Sequence, residues 1–232
     1  MIYIWIIKEG ICMINIDLIE IDVADSGHIT NTYIIYDEKN VAIVIDPADK
    51  AEKILNVITN KKLNLKYAII THAHGDHIGA LEKLQKECNC KILINECDKE
   101  SLLGISENYC EMLGVNQQVL DKNNILSIKD GDIIKCSDML FEIIHTPGHT
   151  KGSICIYEKN LNVLFTGDTI FEDCYGRCDL YSGDFESMIL SLRKLFKRFN
   201  SIQIYPGHGK IVDIESAKKR IRLLIAMKGI EL

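Results

Sequence analysis

What this sequence of 232 residues lacks narrows its chemistry. It has no basic stripe: 27 Lys and Arg stand against 33 Asp and Glu, net charge −6, and the lysines are scattered along expected helices. Phosphate contacts need clustered cations, so no nucleic-acid partner is expected, and the chain has no room for an added binding module. The apolar start, Met1–Ile7, stops at Lys8-Glu9-Gly10 and has neither a basic leader nor a small-residue cleavage site. It is too short for a signal peptide or a bilayer span, so no membrane association is expected. Met1–Ile7 reads as a first strand; with Met13 as the start, residues 1–13 become a loose N-terminal extension. With only three prolines there is no Pro/Ser-rich linker, and no low-complexity tract or fixed-period repeat is found. One domain over residues 1–232 is therefore expected. No Gly-x-Ser-x-Gly elbow supplies a nucleophilic serine. The nine cysteines are odd in number, and Cys88 and Cys90 lack zinc-ribbon spacing. Reduced thiols in a cytoplasmic protein are the expectation.

What is present is a mixture of short apolar runs. Ile14–Asp22 alternates like a half-buried strand, followed by strands at Thr32–Tyr36 and Val41–Ile45, the latter ending in an Asp46-Pro47 turn. Asp49 is placed to cap a helix through Asn60. Lys66–Thr71 reads as a buried strand, Ile78–Glu87 as a helix, Lys91–Asn95 as a strand and Lys99–Leu113 as a helix. Two hairpins are expected, Ile133–Cys136 with Leu140–Ile144 and Gly152–Tyr157 with Val163–Phe165. Phe185–Phe199 is the clearest amphipathic helix; Ile202–Tyr205 is a late strand and Ile214–Met227 a closing helix. Largely antiparallel sheets in one layered domain fit this order.

Seven histidines occur in all, and three of them crowd into Thr71-His72-Ala73-His74-Gly75-Asp76-His77, between a strand and a helix. Such a cluster makes no sense for a core, where each side chain must be hydrated, hydrogen-bonded or metal-bound. Alternation at the strand end can point His72 and His74 the same way, and Gly75 can turn Asp76 and His77 round as a second set. Three further strands end in a glycine turn that presents one ligand: Pro147-Gly148-His149, Gly167-Asp168-Thr169 and Pro206-Gly207-His208. Glycine there allows close approach to a crowded centre. Imidazoles with carboxylates suit zinc, iron or manganese.

His72-Ala-His74-Gly-Asp76-His77, then His149, Asp168 and His208 in order, resembles the metallo-β-lactamase superfamily from about Ile14 to Lys210. That resemblance implies an α+β fold, a four-layer αββα sandwich with two divalent metal ions at one edge. It implies that His72, His74 and His149 hold the first metal, that Asp76, His77 and His208 hold the second, and that Asp168 bridges them, with Asp76 and Asp168 as the catalytic carboxylates. The runs His145-Thr-Pro-Gly-His149-Thr, Phe165-Thr-Gly-Asp168-Thr-Ile-Phe171 and Tyr175-Gly176-Arg177 are similar to the glyoxalase II branch, which hydrolyses S-acylglutathione thioesters. By that likeness Arg177 is the candidate anchor for a substrate carboxylate. The long C-terminal helical domain of that branch has no counterpart in the 24 residues after His208, so the chain is similar to short glyoxalase II-like hydrolases. The resemblance thus implies a small acyl-thiol substrate cleaved by water activated on the metals, with the natural acyl group left open.

An alternative is a persulfide dioxygenase-like oxidoreductase using one iron on His72, His149 and Asp168, since Gly176-Arg177-Cys178-Asp179 resembles a run in those enzymes. A scaffold protein is expected to lose ligands, and none is missing here. A secreted β-lactamase is not expected without a signal peptide. His28 stands in a loop that borders the active site in this fold, and His145 reads as a supporting residue; Cys174 and Cys178 flank the Tyr175–Arg177 run.

Overall fold

The computed structural model describes residues 13–232, so the expected strand at Met1–Ile7 lies outside the described residues. Two six-stranded sheets face each other. The first contains, in spatial order, β1 (Ile14–Val23), β2 (His28–Asp37), β3 (Val41–Ile45), β4 (Asn64–Ile69), β5 (Lys91–Asn95) and β6 (Ile125–Ile128). The second runs β12 (Val212–Asp213), β11 (Gln203–Pro206), β10 (Val163–Gly167), β9 (Ile154–Glu158), β8 (Met139–His145) and β7 (Ile133–Cys136). Helices α1 (Ala51–Asn60), α2 (Gly75–Ile78), α3 (Leu81–Cys88) and α4 (Lys99–Leu102) belong to the first half of the chain; α5 (Phe185–Arg198) and α6 (Ile214–Ala226) close the second.

Why these strands stack is visible in their side chains. Central strands are apolar on both faces, so each sheet must be covered on both sides. Along β3, Ala42 and Val44 point into a core shared with Ile54 of α1 and Leu84 of α3, while Ile43 and Ile45 point into the layer between the sheets. In the second sheet Phe141, Ile156 and Phe165 meet that middle layer, and Leu164 and Cys155 turn outward to Leu192 of α5 and Ile221 of α6. Three apolar layers between four structural layers make the αββα sandwich.

Several local expectations shift. The sheets are mixed: β3–β4, β4–β5, β5–β6 and β10–β11 pair in parallel, and the other ladders are antiparallel. Those parallel pairs matter because their C-terminal ends gather at one edge, where βα turns expose ligand-bearing residues. Asp49 does not cap α1; its Oδ2 accepts from Ala24 N–H at 3.0 Å, and Lys50 stands at the cap position without a side-chain capping bond, its Nζ donating to Asp25 instead. The helix expected over Lys99–Leu113 stops at Leu102. Gly104 adopts φ +67°, Gly104 N–H donates to Ser101 O, and Ile105 N–H donates to Glu100 O, a left-handed helix stop. Asn108 then accepts from Cys110 N–H through its side chain and forms a polar turn in place of a helical one. β6 was not anticipated; it is a four-residue edge strand. Among the described residues no helix is long and apolar enough to cross a membrane, and the eight described cysteines are free thiols.

Candidate metal centre

Four expected ligands sit just beyond strand ends at one edge of the sandwich, and His74, Asp76 and His77 follow at the start of α2. His72 follows β4, Asp168 follows β10, His208 follows β11, and His149 lies in the turn between β8 and β9. An aromatic trio steadies two of these ends. Tyr33 packs on Phe165 at 5.2 Å and on Tyr205 at 5.6 Å, and its hydroxyl donates to Pro206 O at 2.7 Å. Asn31 Nδ2 donates to Pro206 O and Gly209 O, clamping the turn that carries His208.

All seven residues converge. His74 Nδ1 lies 3.1 Å from His72 Nε2 and 3.0 Å from His149 Nε2. Imidazoles on one zinc at bonds of ~2.0–2.1 Å in tetrahedral geometry place their nitrogens ~3.3 Å apart, so this trio has metal-binding spacing. His208 Nε2 is 3.3 Å from Asp76 Oδ2, 3.4 Å from Asp168 Oδ2 and 3.4 Å from His77 Nε2. Asp168 spans the two groups: Oδ1 is 3.5 Å from His77 Nε2 and Oδ2 is 3.5 Å from His149 Nε2.

The outer nitrogen of each imidazole decides what the inner one offers. His149 Nδ1 lies 2.8 Å from Arg177 O, and His208 Nδ1 lies 2.6 Å from Ile29 O. A carbonyl only accepts, so both Nδ1 atoms carry the proton and both Nε2 atoms face inward. His77 Nδ1 donates to Asp46 Oδ2 at 3.0 Å. Thr71 Oγ1 donates to Asp46 Oδ2 at 2.7 Å, leaving its oxygen to accept from His72 Nδ1 at 3.1 Å. His74 is reversed: Nδ1 faces the cluster, and its buried Nε2 has no hydrogen-bond partner. Asp168 Oδ1 is likewise buried without one, an arrangement that a bound cation would resolve.

Electrostatics divide the cluster. Burial pushes His72 well below its ordinary value and His74 down to about 3, which favours the neutral imidazole at both. Burial would also depress His77 and His208, but Asp76 and Asp168 outweigh it and lift them to about 9 and about 11. Burial alone would raise both carboxyls; His77 and His208 hold them well below the usual range instead. Ionised carboxylates paired with imidazoles at these distances are a donor set that divalent ions suit. The residues therefore fit the metals that the chain's resemblance implies.

Glycine serves the approach at two turns. A Cβ on Gly207 would stand 2.3 Å from Asp168 Oδ1 and 2.7 Å from His77 Cε1. Gly148, at φ +146°, lies against Met188 of α5, where a Cβ would come within 2.5 Å of backbone.

Of the remaining candidates, Arg177 touches the centre through its carbonyl, while its exposed guanidinium forms two 2.8 Å bonds to Asp179. His28 Nε2 lies 2.8 Å from Asp76 Oδ2. His145 stays apart, with Nε2 donating to Lys151 O at 2.8 Å. Cys174 and Cys178 line a neighbouring groove, and burial pushes both thiols up to about 11. Two supporting carboxylates were not foreseen. Asp46 had a readable signal, a lone acid ending the apolar run Val41–Ile45. Asp98 had none: it accepts from Ala73 N–H, Thr150 Oγ1 and Gly152 N–H, tying the His72–His74 segment to the His149 turn. The donors open into a cleft of about 350 Å³.

Residues 25–208 match the family described as the metallo-beta-lactamase superfamily. A curated relative, hydroxyacylglutathione hydrolase GloC of Haemophilus influenzae, is 35% identical over 191 residues, covering 82% of this chain and 90% of that protein. Among solved structures, the BLEG-1 B3 metallo-beta-lactamase aligns with TM-score 0.79 at 24% identity, covering 90% of this chain and 99% of that one. TTHA1623, in a di-iron-bound form, aligns at 0.74 and 24% identity, covering 84% and 95%. At that identity the two structures speak to the fold alone.

Proposed function

Because the chain belongs to the metallo-beta-lactamase superfamily, we propose that it is a two-metal hydrolase acting on a thioester or related acyl bond. The observation that carries this reading is the set of inward-facing nitrogens around Asp168, four of which, on His72, His77, His149 and His208, are fixed by a partner on the ring's outer side. The relative named as a hydroxyacylglutathione hydrolase supports the thioester. In this reading His72, His74 and His149 hold one ion, Asp76, His77 and His208 the other, and Asp168 both. Zinc is the favoured metal, with iron and manganese as the other ions these donors suit. Bound there, such ions supply Lewis acidity, lowering the pKa of water and polarising a carbonyl.

The protein's own part is orientation and charge. Asp76 and Asp168 are held ionised and are the two carboxylates that line the cleft. Arg177 O orients His149 from outside, and Arg177 is part of the substrate wall. Among the described residues no serine or cysteine lines the cleft, and a departing thiolate needs no strong general acid. A cytoplasmic, small-molecule enzyme is consistent with this chemistry.

The one-iron alternative would use His72, His149 and Asp168 and leave Asp76, His77 and His208 without an ion. Asp76, His77 and His208 bring their donor atoms within 3.6 Å of one another, a spacing that favours an ion on this set as well. The deciding experiment measures metal per chain on protein purified without added metal, with thioester hydrolysis and oxygen uptake on the same sample. Two metals and thioester cleavage support the hydrolase. One iron with persulfide-dependent oxygen uptake overturns it.

A further inference from the structure

Setting the metal donors aside, the side chains left to touch a substrate in the cleft are mostly apolar: Tyr109, Met112, Leu113, Phe171 and Leu180. They come from two loops, one following α4 and one following β10, that are tied together where Tyr181 N–H donates to Tyr109 Oη at 2.7 Å. Tyr109 holds a left-handed backbone, φ +60°, and sets its ring edge-on to His74 at 5.3 Å. A non-glycine residue keeps that conformation only where its surroundings impose it, and such positions gather at binding sites. Met112 is 70% exposed at the cleft, an apolar, adaptable side chain that gains by being covered.

Charge points the same way. No lysine lines the cleft among the described residues, and its single arginine, Arg177, is neutralised by the two-bond pair with Asp179. A glutathione thioester would bring two carboxylates to a cleft whose one guanidinium must first leave Asp179. Each carboxylate left unpaired there loses hydration without compensation.

We infer that the substrate carries an uncharged, apolar substituent next to the scissile bond, seated between the Tyr109–Leu113 and Phe171–Leu180 walls, and that a glutathione conjugate is not the preferred substrate. This rests on the hydrolase reading above. The substituent belongs to either the acyl side or the thiol side, and both meet the same wall.

The test uses metal-loaded full-length protein and two thioester series. One varies the acyl chain from acetyl to octanoyl on N-acetylcysteamine; the other varies an S-alkyl chain over the same lengths with a constant acetyl group. A 2-hydroxyacyl glutathione thioester is assayed alongside. The expected result is that kcat/KM rises in one series by about two- to fourfold per buried methylene and passes the glutathione conjugate. Leu180→Asn and Met112→Asn, each checked for unchanged metal content, flatten that rise. Flat or falling profiles in both series while acetyl thioesters are still cleaved overturn the inference, as does a glutathione conjugate that outruns every chain length. Failure of the loaded protein to cleave any thioester overturns the hydrolase reading itself.

Discussion

Asp46 and His77 share a 3.0 Å hydrogen bond, both buried from solvent, between a carboxylate at the end of β3 and the outer nitrogen of a candidate ligand histidine. The same Oδ2 accepts from Thr71 Oγ1, which in turn faces His72 Nδ1. One carboxylate therefore orients histidines of both ligand sets. Replacing it by alanine should lower metal affinity about 10- to 100-fold, the usual cost of losing such a partner. Calorimetric titration of apo-protein with zinc measures this, and wild-type affinity in Asp46→Ala would remove Asp46 from the account.

Asp168 is the residue both sets share. Asp168→Ala should abolish hydrolysis and reduce bound metal, whereas His208→Ala, which leaves His72, His74 and His149 in contact, should retain one ion per chain. Metal analysis of both purified variants tests the division. A fully metallated, active Asp168→Ala protein would refute the bridging role.

Gly207 offers a test of crowding. Its absent Cβ would lie 2.3 Å from Asp168 Oδ1, so Gly207→Ala must displace either the carboxylate or the His208 turn. The fold should survive, because that turn lies beyond the end of β11 and outside the apolar layers. The expected outcome is a melting temperature within a few degrees of wild type, with activity and metal content down about tenfold or more, the order of cost set by misplacing a reacting geometry. Full activity would show that the turn has slack.

The clustering of the candidate donors was legible because each is chemically odd where it stands. His72, Asp168 and His208 are polar residues at the ends of apolar strands, the last two beside glycine, and short-range pattern suffices to single them out. The strands and α5 were legible for the same reason, since alternation and helical spacing are local. Tyr109 and Met112 were not. Their apolar spacing reads as helix, and only Gly104, the Asn108 turn and the bond to Tyr181 convert that stretch into a cleft wall. Asp98 was hidden for a similar reason: its partners, Ala73, Thr150 and Gly152, lie far off in sequence.

Away from the site, Glu142 on β8 gives a clean acid-stability test. Arg198 Nη1 donates to its Oε1 at 2.6 Å and Lys159 Nζ to its Oε2 at 2.9 Å. The bond to Arg198 above all, helped by Lys159 and opposed by partial burial, lowers its carboxyl from 4.5 to about 2. The folded state therefore binds this proton less readily than the unfolded chain. Its stabilisation is fully present above pH 4.5, declines as pH falls toward 2, and is gone below that. Glu142→Gln should cost roughly 1 kcal/mol at neutral pH, the upper range for a partly exposed pair. Below pH 2 the two proteins should converge in stability. Urea unfolding at pH 7, 4 and 2 measures the difference. A gap that persists at the lowest pH would mean that glutamine disturbs packing on β8 and that the ion pair with Arg198 contributes little.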